Sequence, residues 1–252
     1  MADFASLVRE AADRFDDLAV LAAVPLFTSL LAFDNVERAA AGGGFDFHAG
    51  VAFSFPNAVV DLWTFVSFPA GEPGVRVAEP LWLLLIVFAV QSALTAGYLG
   101  SIRRRLDGER IDFLGDVGRY FPRILAYQAL AWGVTLLALF VGILTGPFVL
   151  LLFPAALVLN YLFFAAPYLI VVRDASVGTA IRESYEWAID GGDYFAYAVR
   201  YLAAVAAVSI PTTLLAVNFG VVGVVLAAVA TAPVGLTLSA ATTLFVRGQA
   251  PA

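Results

Sequence analysis

Long apolar runs alternate with short charged ones along this chain, and the alternation predicts its elements. The apolar runs lie at about 18–33, 80–100, 124–145, 147–172, 194–217 and 219–246. A helix needs about 20 such residues to cross a hydrocarbon core, so each run is a candidate span. The first is short unless Phe15 and its neighbours dip in. The expected fold class is therefore all-α: a polytopic transmembrane helical bundle of six spans with short amphipathic interfacial helices. Residues 1–252 read as a single integral membrane domain. Gly146 and Pro147 mark a tight turn between two spans, and Asn218 with Gly220 marks another.

The polar connections carry a helical period of their own. In Met1 to Asp17, Phe4, Leu7, Val8, Ala11 and Phe15 share one face, opposite Glu10, Asp13 and Asp17. Asp16 and Asp17 abut the first span, so cleavage as a secretory signal is not expected. The outer loop 34–79 is loosened by Gly42, Gly43 and Gly44. Within it, a helix starting at Pro56 would gather Ala58, Val59, Leu62, Phe65 and Val66 on one side. Asn57, Asp61 and Thr64 would line the other. That two-sided pattern predicts an interfacial helix over about 56–68, lying in the interface or re-entering rather than crossing, with Asp61 towards water. A further short helix follows Arg173, with Ser176 as N-cap and Gly191 and Gly192 as its stop; Val177, Ala180, Ile181 and Ser184 share its face.

Charge then sets direction. Ser101 to Arg123 holds Arg103, Arg104, Arg105, Arg110, Arg119 and Arg123, six of the fourteen arginines. Short Arg-rich segments stay on the cytoplasmic side. With both termini cytoplasmic, eleven arginines fall inside and only Arg38 and Arg76 outside. The expected location is the cytoplasmic membrane, multi-pass. Three times an amphipathic, aromatic-bearing segment on this side runs into a span; a threefold duplicated hairpin and ordinary interfacial aromatics both produce that rhythm.

Composition narrows the class further. A chain that is 62% hydrophobic and 13% charged lies outside the soluble globular range. It has no Lys, and acids outnumber arginines twenty to fourteen. The bias resembles proteins of extreme halophiles; a GC-rich genome coding Arg for Lys leaves the same mark. Absence of Cys removes disulfides, thiolate metal sites and cysteine nucleophiles. The single His48 sits in a Gly-rich loop without neighbouring ligand candidates, so no metal is expected.

Pro167, Val172 to Asp174, Ala180 and Ser184, with GYLGSIRRRLDGE from Gly97 to Glu109, form a pattern over the back two-thirds of the chain. It resembles an uncharacterised family of six-span membrane proteins, a domain of unknown function of haloarchaeal type. That family is distantly similar to the membrane domain associated with glycerophosphodiester phosphodiesterases. These residues include no phosphodiesterase catalytic domain, so the resemblance does not bring that activity.

Chemistry is sparse. No Asp or Glu falls inside the six expected spans, and only Arg200 does among the charged residues. Its guanidinium is expected to snorkel to the cytoplasmic side, onto lipid phosphate or a carboxylate of the Arg173 to Asp193 loop. Gln91 and Asn160 sit mid-span as possible packing contacts between helices. Pro25, Pro154, Pro211 and Pro233 imply kinks, or broken helices around a site. Ala93, Gly97 and Gly100 read as a small-residue packing surface. No catalytic motif or cofactor site stands out. The Arg-rich segment is interleaved with Asp107, Glu109, Asp112 and Asp116, so nucleic acid is not an expected partner and the lipid bilayer is. The expected role is a non-enzymatic membrane protein, structural or accessory; the alternative is a small-solute permease or channel. A permease predicts a polar cavity lined from several spans, a structural bundle apolar seams.

Overall fold

The computed structural model describes residues 3–41, 47–68, 81–145 and 151–249. The Gly42–Gly44 stretch, Pro80 and the turn at Gly146 and Pro147 lie outside them. Apart from 47–68 and short connections the described residues are helical, with no strand among them. Helices α1 (Phe4–Asp13) and α2 (Phe15–Leu18) lead through one 3-10 turn into α3 (Ala23–Leu31) and α4 (Phe33–Ala41). Then come α5 (Leu81–Leu106), α6 (Phe113–Thr145), α7 (Leu152–Phe163), α8 (Ala166–Val172), α9 (Val177–Asp190), α10 (Gly192–Asn218) and α11 (Gly220–Gly248).

Five of these stretches are long and apolar enough to cross a membrane: α5, α6, Pro154–Val172, α10 and α11. A sixth exists if Phe15–Leu31 and Phe33–Ala39, bent by 74°, count as one. The bend at Ala32 is where the expected first span departs from a straight helix.

The Arg-rich stretch is not a loop. Helix α5 continues to Leu106 and α6 begins at Phe113, so the turn between them is only six residues long. Arg103, Arg104 and Arg105 occupy the last turn of α5, where cations offset the negative end of the helix dipole. Asp112 accepts the backbone N–H of Gly115 and so starts α6. The small-residue reading of α5 holds: the Phe113 and Asp116 side chains lie directly on Gly97 and Gly100.

The amphipathic segments pack at the same end of the bundle. Leu7 and Ala11 of α1 are buried, and α1 lies against α11 and α10. In α9, Ser176 caps the Thr179 N–H and Gly191, at φ 68°, ends the helix. Ala180 and Ser184 face inward as the period predicted, Ser184 Oγ donating to the Leu162 carbonyl.

The expected helix over 56–68 does not form. Only Leu62–Thr64 makes a single 3-10 turn, and the rest of 47–68 is non-helical. This segment dives into the bundle and returns. It enters at the α10–α11 turn, where Asn218 bonds both the N–H and the carbonyl of His48. The Ala52 N–H meets Ser209 Oγ, about 13 Å further along α10 at 1.5 Å per residue. At its tip, the Asn57 carbonyl accepts the Tyr168 hydroxyl of α8. Returning, the Val60 carbonyl abuts Gly235, about 22 Å along α11 from Gly220. The Leu62 N–H then meets Ser29 Oγ, and the Ser67 N–H meets Thr213 Oγ1. The Ser67 carbonyl ends beside the His48 ring, closing a re-entrant hairpin.

The reason for the correction is physical. A helix satisfies its own backbone, whereas an extended chain at membrane depth survives only when protein supplies the missing partners. Here Ser29, Ser209, Thr213, Asn218 and Tyr168 supply them from three helices, α3, α8 and α10. The side chains then divide by contact: Val60, Leu62 and Phe65 are fully buried.

Candidate functional site

Around the tip of the hairpin lies a cavity of about 720 Å³. Thr28 of α3, Asn57 and Asp61 of the hairpin, Gln91 and Thr95 of α5, and Asn160 of α7 reach it. One stripe of α6 forms a long wall, from Tyr127 and Gln128 through Ala131, Val134 and Thr135 to Leu139. That wall runs about 18 Å along the helix axis. Opposite it stand Leu152, Ala156 and Leu159 of α7. Helix α6 packs along α5 and scarcely touches α7, which leaves the space between them.

Asp61 is the main correction to the expected site. The sequence pattern aimed it at water; the re-entrant path carries it to the cavity, between Val60 on Gly235 and Leu62 on Ser29. Its Oδ1 accepts the Trp63 N–H at 3.1 Å and lies 3.5 Å from the Thr64 hydroxyl. Trp63 Nε1 donates to the Ser29 carbonyl, so the turn that aims the carboxyl is tied to α3. At the hairpin base, Trp63 stacks on Phe68, and the Arg38 guanidinium covers the Phe68 ring at 4.3 Å. An ionisable side chain at membrane depth is a marker of function.

Gln91 and Asn160 do come to the same cavity, but not as a pair. Asn160 Nδ2 donates to Ala156 O of its own helix, and the Gln91 carbonyl accepts from Thr95. The bond between spans is made instead by Gln128, which sequence reading missed. Its Oε1 accepts from Ser92 and its Nε2 reaches Thr95 Oγ1 at 3.4 Å. Gln128 belongs to a run that also contains Tyr127 and Thr135 at helical spacing, the signal available for it. Below the tip, Tyr168 is buried beside Tyr98, Tyr197 and Tyr201, with Tyr197 bonded to Thr242.

Arg200 is elsewhere. Its half-exposed guanidinium pairs with Asp3, and not with a carboxylate of the 173–193 loop, one of the two partners expected beside lipid phosphate. The cause is α1, which lies across α10 and α11 and brings the residue at its own start to Arg200. Asp193 and Arg200 border a small cleft there of about 90 Å³.

All the ion pairs among the described residues gather at this end. Arg104 pairs with Glu109 and the buried Asp116, Arg105 with Asp17, Arg173 with Glu183, and Arg247 with Asp107. Arg119 and Arg123 both hold Asp174, which adopts φ 54°. The hydrogen bond from Arg119, joined by that from Arg123, keeps the Asp174 carboxyl below the usual carboxylate range. No cluster of three His, Cys, Asp or Glu side chains suited to a metal occurs among the described residues.

The chain matches no family model, no curated protein and no solved structure.

Proposed function

We propose that the protein is a non-enzymatic carrier, a permease for a small solute in the cytoplasmic membrane, with both termini and the ion-paired end cytoplasmic. One observation carries the reading: a cavity lined from α3, α5, α6 and α7 receives a carboxyl and an amide, Asp61 and Asn57, from a re-entrant hairpin and further amides from the helices. A bundle built only for packing has no use for Asp61 at that depth, where a charge costs several kcal/mol of insertion energy, about 2.5 to 3.5. Non-helical backbone inside a membrane protein lines solute paths for the same reason that it needs partners: its polar groups must be met. Eleven arginines against two support the orientation.

A structural or accessory role is the second reading, favoured by the dense ion pairing at one end. The two separate in reconstituted proteoliposomes given labelled amines, amino acids and sugars. The carrier reading expects protein-dependent uptake of at least one, lost in Asp61→Asn and reduced in Gln128→Leu. No uptake above empty vesicles across the panel would favour the structural role.

A further inference from the structure

The polar groups of the cavity share one property. Nearly all have a donor hydrogen already bonded within the protein. Thr28 donates to the Pro25 carbonyl, Thr95 to Gln91 and Thr135 to Ala131, each within its own helix. Tyr127 donates to Phe163, and Asn160 to Ala156. Asn57 donates to Ser54, and Gln128 is bonded at both ends of its amide. Lone pairs remain on the hydroxyl oxygens, the Asn160 carbonyl oxygen and the carboxyl of Asp61, the one group among them that carries charge. The Gln91 side-chain amide makes no bond among the described residues, and Asn57, Asn160 and Gln128 each keep a second N–H.

Charge points the same way. Asp61 is the one acid on the cavity, and no Arg or His lines it among the described residues. Its Oδ1 takes the bonds from Trp63 and Thr64, and Oδ2 has no partner among the described residues. A carboxylate at that depth is unstable without a counter-charge, which here must arrive from outside the fold or be a proton.

We propose that the cavity binds an organic cation, its positive group on Asp61 and its hydrocarbon part along the α6 and α7 walls. A hard divalent metal ion is the poorer guest, since it favours several carboxylates among six or more oxygen ligands and this cavity offers a single carboxylate among the described residues. The volume of about 720 Å³ lies inside the range of small-molecule sites, roughly 300–1,000 Å³. Without the cation, a proton neutralises Asp61, so cation and proton compete for one group. Among the described residues Tyr127, a tyrosine being a group that ordinarily titrates near pH 10, is the only other titratable group on the cavity; the lining residues of α3, α5 and α7 add none. The inference rests on the carrier reading for its biological sense, but the site itself is tested by binding alone.

The probe is tetraphenylphosphonium, measured by equilibrium dialysis against the full chain in detergent. Saturable binding is expected, weakened at least about tenfold in Asp61→Asn and retained in Asp61→Glu. Affinity should also fall about tenfold per pH unit once Asp61 is protonated. The anion tetraphenylborate, of the same shape, should not displace the probe. Equal affinity in Asp61→Asn, a pH-independent affinity, or displacement by tetraphenylborate as effective as by a cation would overturn the proposal. If Asp61→Asn does not fold, the wild-type pH profile and the anion competition decide. Cation binding without flux in proteoliposomes would sink the carrier reading and leave this site standing. Asp61-dependent uptake of a panel solute with no saturable tetraphenylphosphonium binding would do the reverse.

Discussion

The carbonyl oxygen of Val60 rests on the Cα of Gly235 with no room between them for a Cβ. This contact seats the returning arm of the re-entrant hairpin against α11 midway through the helix. Gly235→Ala is therefore expected to destabilise the protein by about 1–3 kcal/mol, as overpacking does. The collision is with backbone, so the arm itself must shift. Melting in detergent should drop, and a cysteine placed at Asn57 should become more reactive than in the parent.

Ser29, Ser209 and Thr213 act as surrogate backbone partners for the hairpin. Thr213→Val keeps the shape but strands the Ser67 N–H and the Phe65 carbonyl. Each unmet buried group costs about 1–3 kcal/mol. Chemical denaturation should show a loss of about 2–6 kcal/mol for Thr213→Val, from the two groups together. Thr237→Val, whose hydroxyl bonds only the Pro233 carbonyl of its own helix, should change little.

The chain contains no cysteine, so single cysteines report sidedness cleanly. Gly178 on α9 has open space around it and Phe47 is 78% exposed. In intact cells an impermeant maleimide should label Phe47→Cys and spare Gly178→Cys until the membrane is permeabilised. The opposite pattern would invert the proposed orientation.

Asp174 provides a pH signature. Its folded carboxyl is held below the ordinary range by Arg119 and Arg123, while the unfolded chain titrates near pH 3.9. A depressed folded value means the contribution to stability is present above the unfolded pKa and lost as pH falls through the folded one. Asp174→Asn tolerates the positive φ but has no charge to lose. The melting temperature of the wild type should exceed that of Asp174→Asn at neutral pH, and the two should converge in acid. A gap that persists unchanged below pH 3 would show that the charge is not the source.

Much of the architecture could be read before any coordinates. Within the described residues the expected apolar runs correspond to helical stretches of spanning length, Trp82–Leu106, Phe113–Gly142, Pro154–Val172, Gly192–Asn218 and Gly220–Gly248, because hydrocarbon forces each segment to satisfy its own backbone. The Ser176 cap, the Gly191 stop and the buried stripe of α9 are local effects, set by residues a few positions apart. Gln91 and Asn160 lie within the helical stretches Trp82–Leu106 and Pro154–Val172, since position along a helix is only a count of residues.

What tertiary structure alone decided is the hairpin and everything it carries. Val51 to Phe68 has a fair helical pattern, and periodicity registers only which side chains would share a face. It does not register that hydroxyls on α3 and α10 stand ready to replace the helix's own bonds. Those partners are 33 to 157 residues away in the chain. Once they hold the segment extended, Asp61 moves from an expected watery face to the cavity, and a run that looked interfacial becomes the wall of a site. Arg200 turned on the same kind of distance: its partner, Asp3, is 197 residues away and reaches it only because α1 folds back over α10 and α11. Local sequence determines how each segment closes its own hydrogen bonds; only the packed bundle determines which open ones another segment will fill.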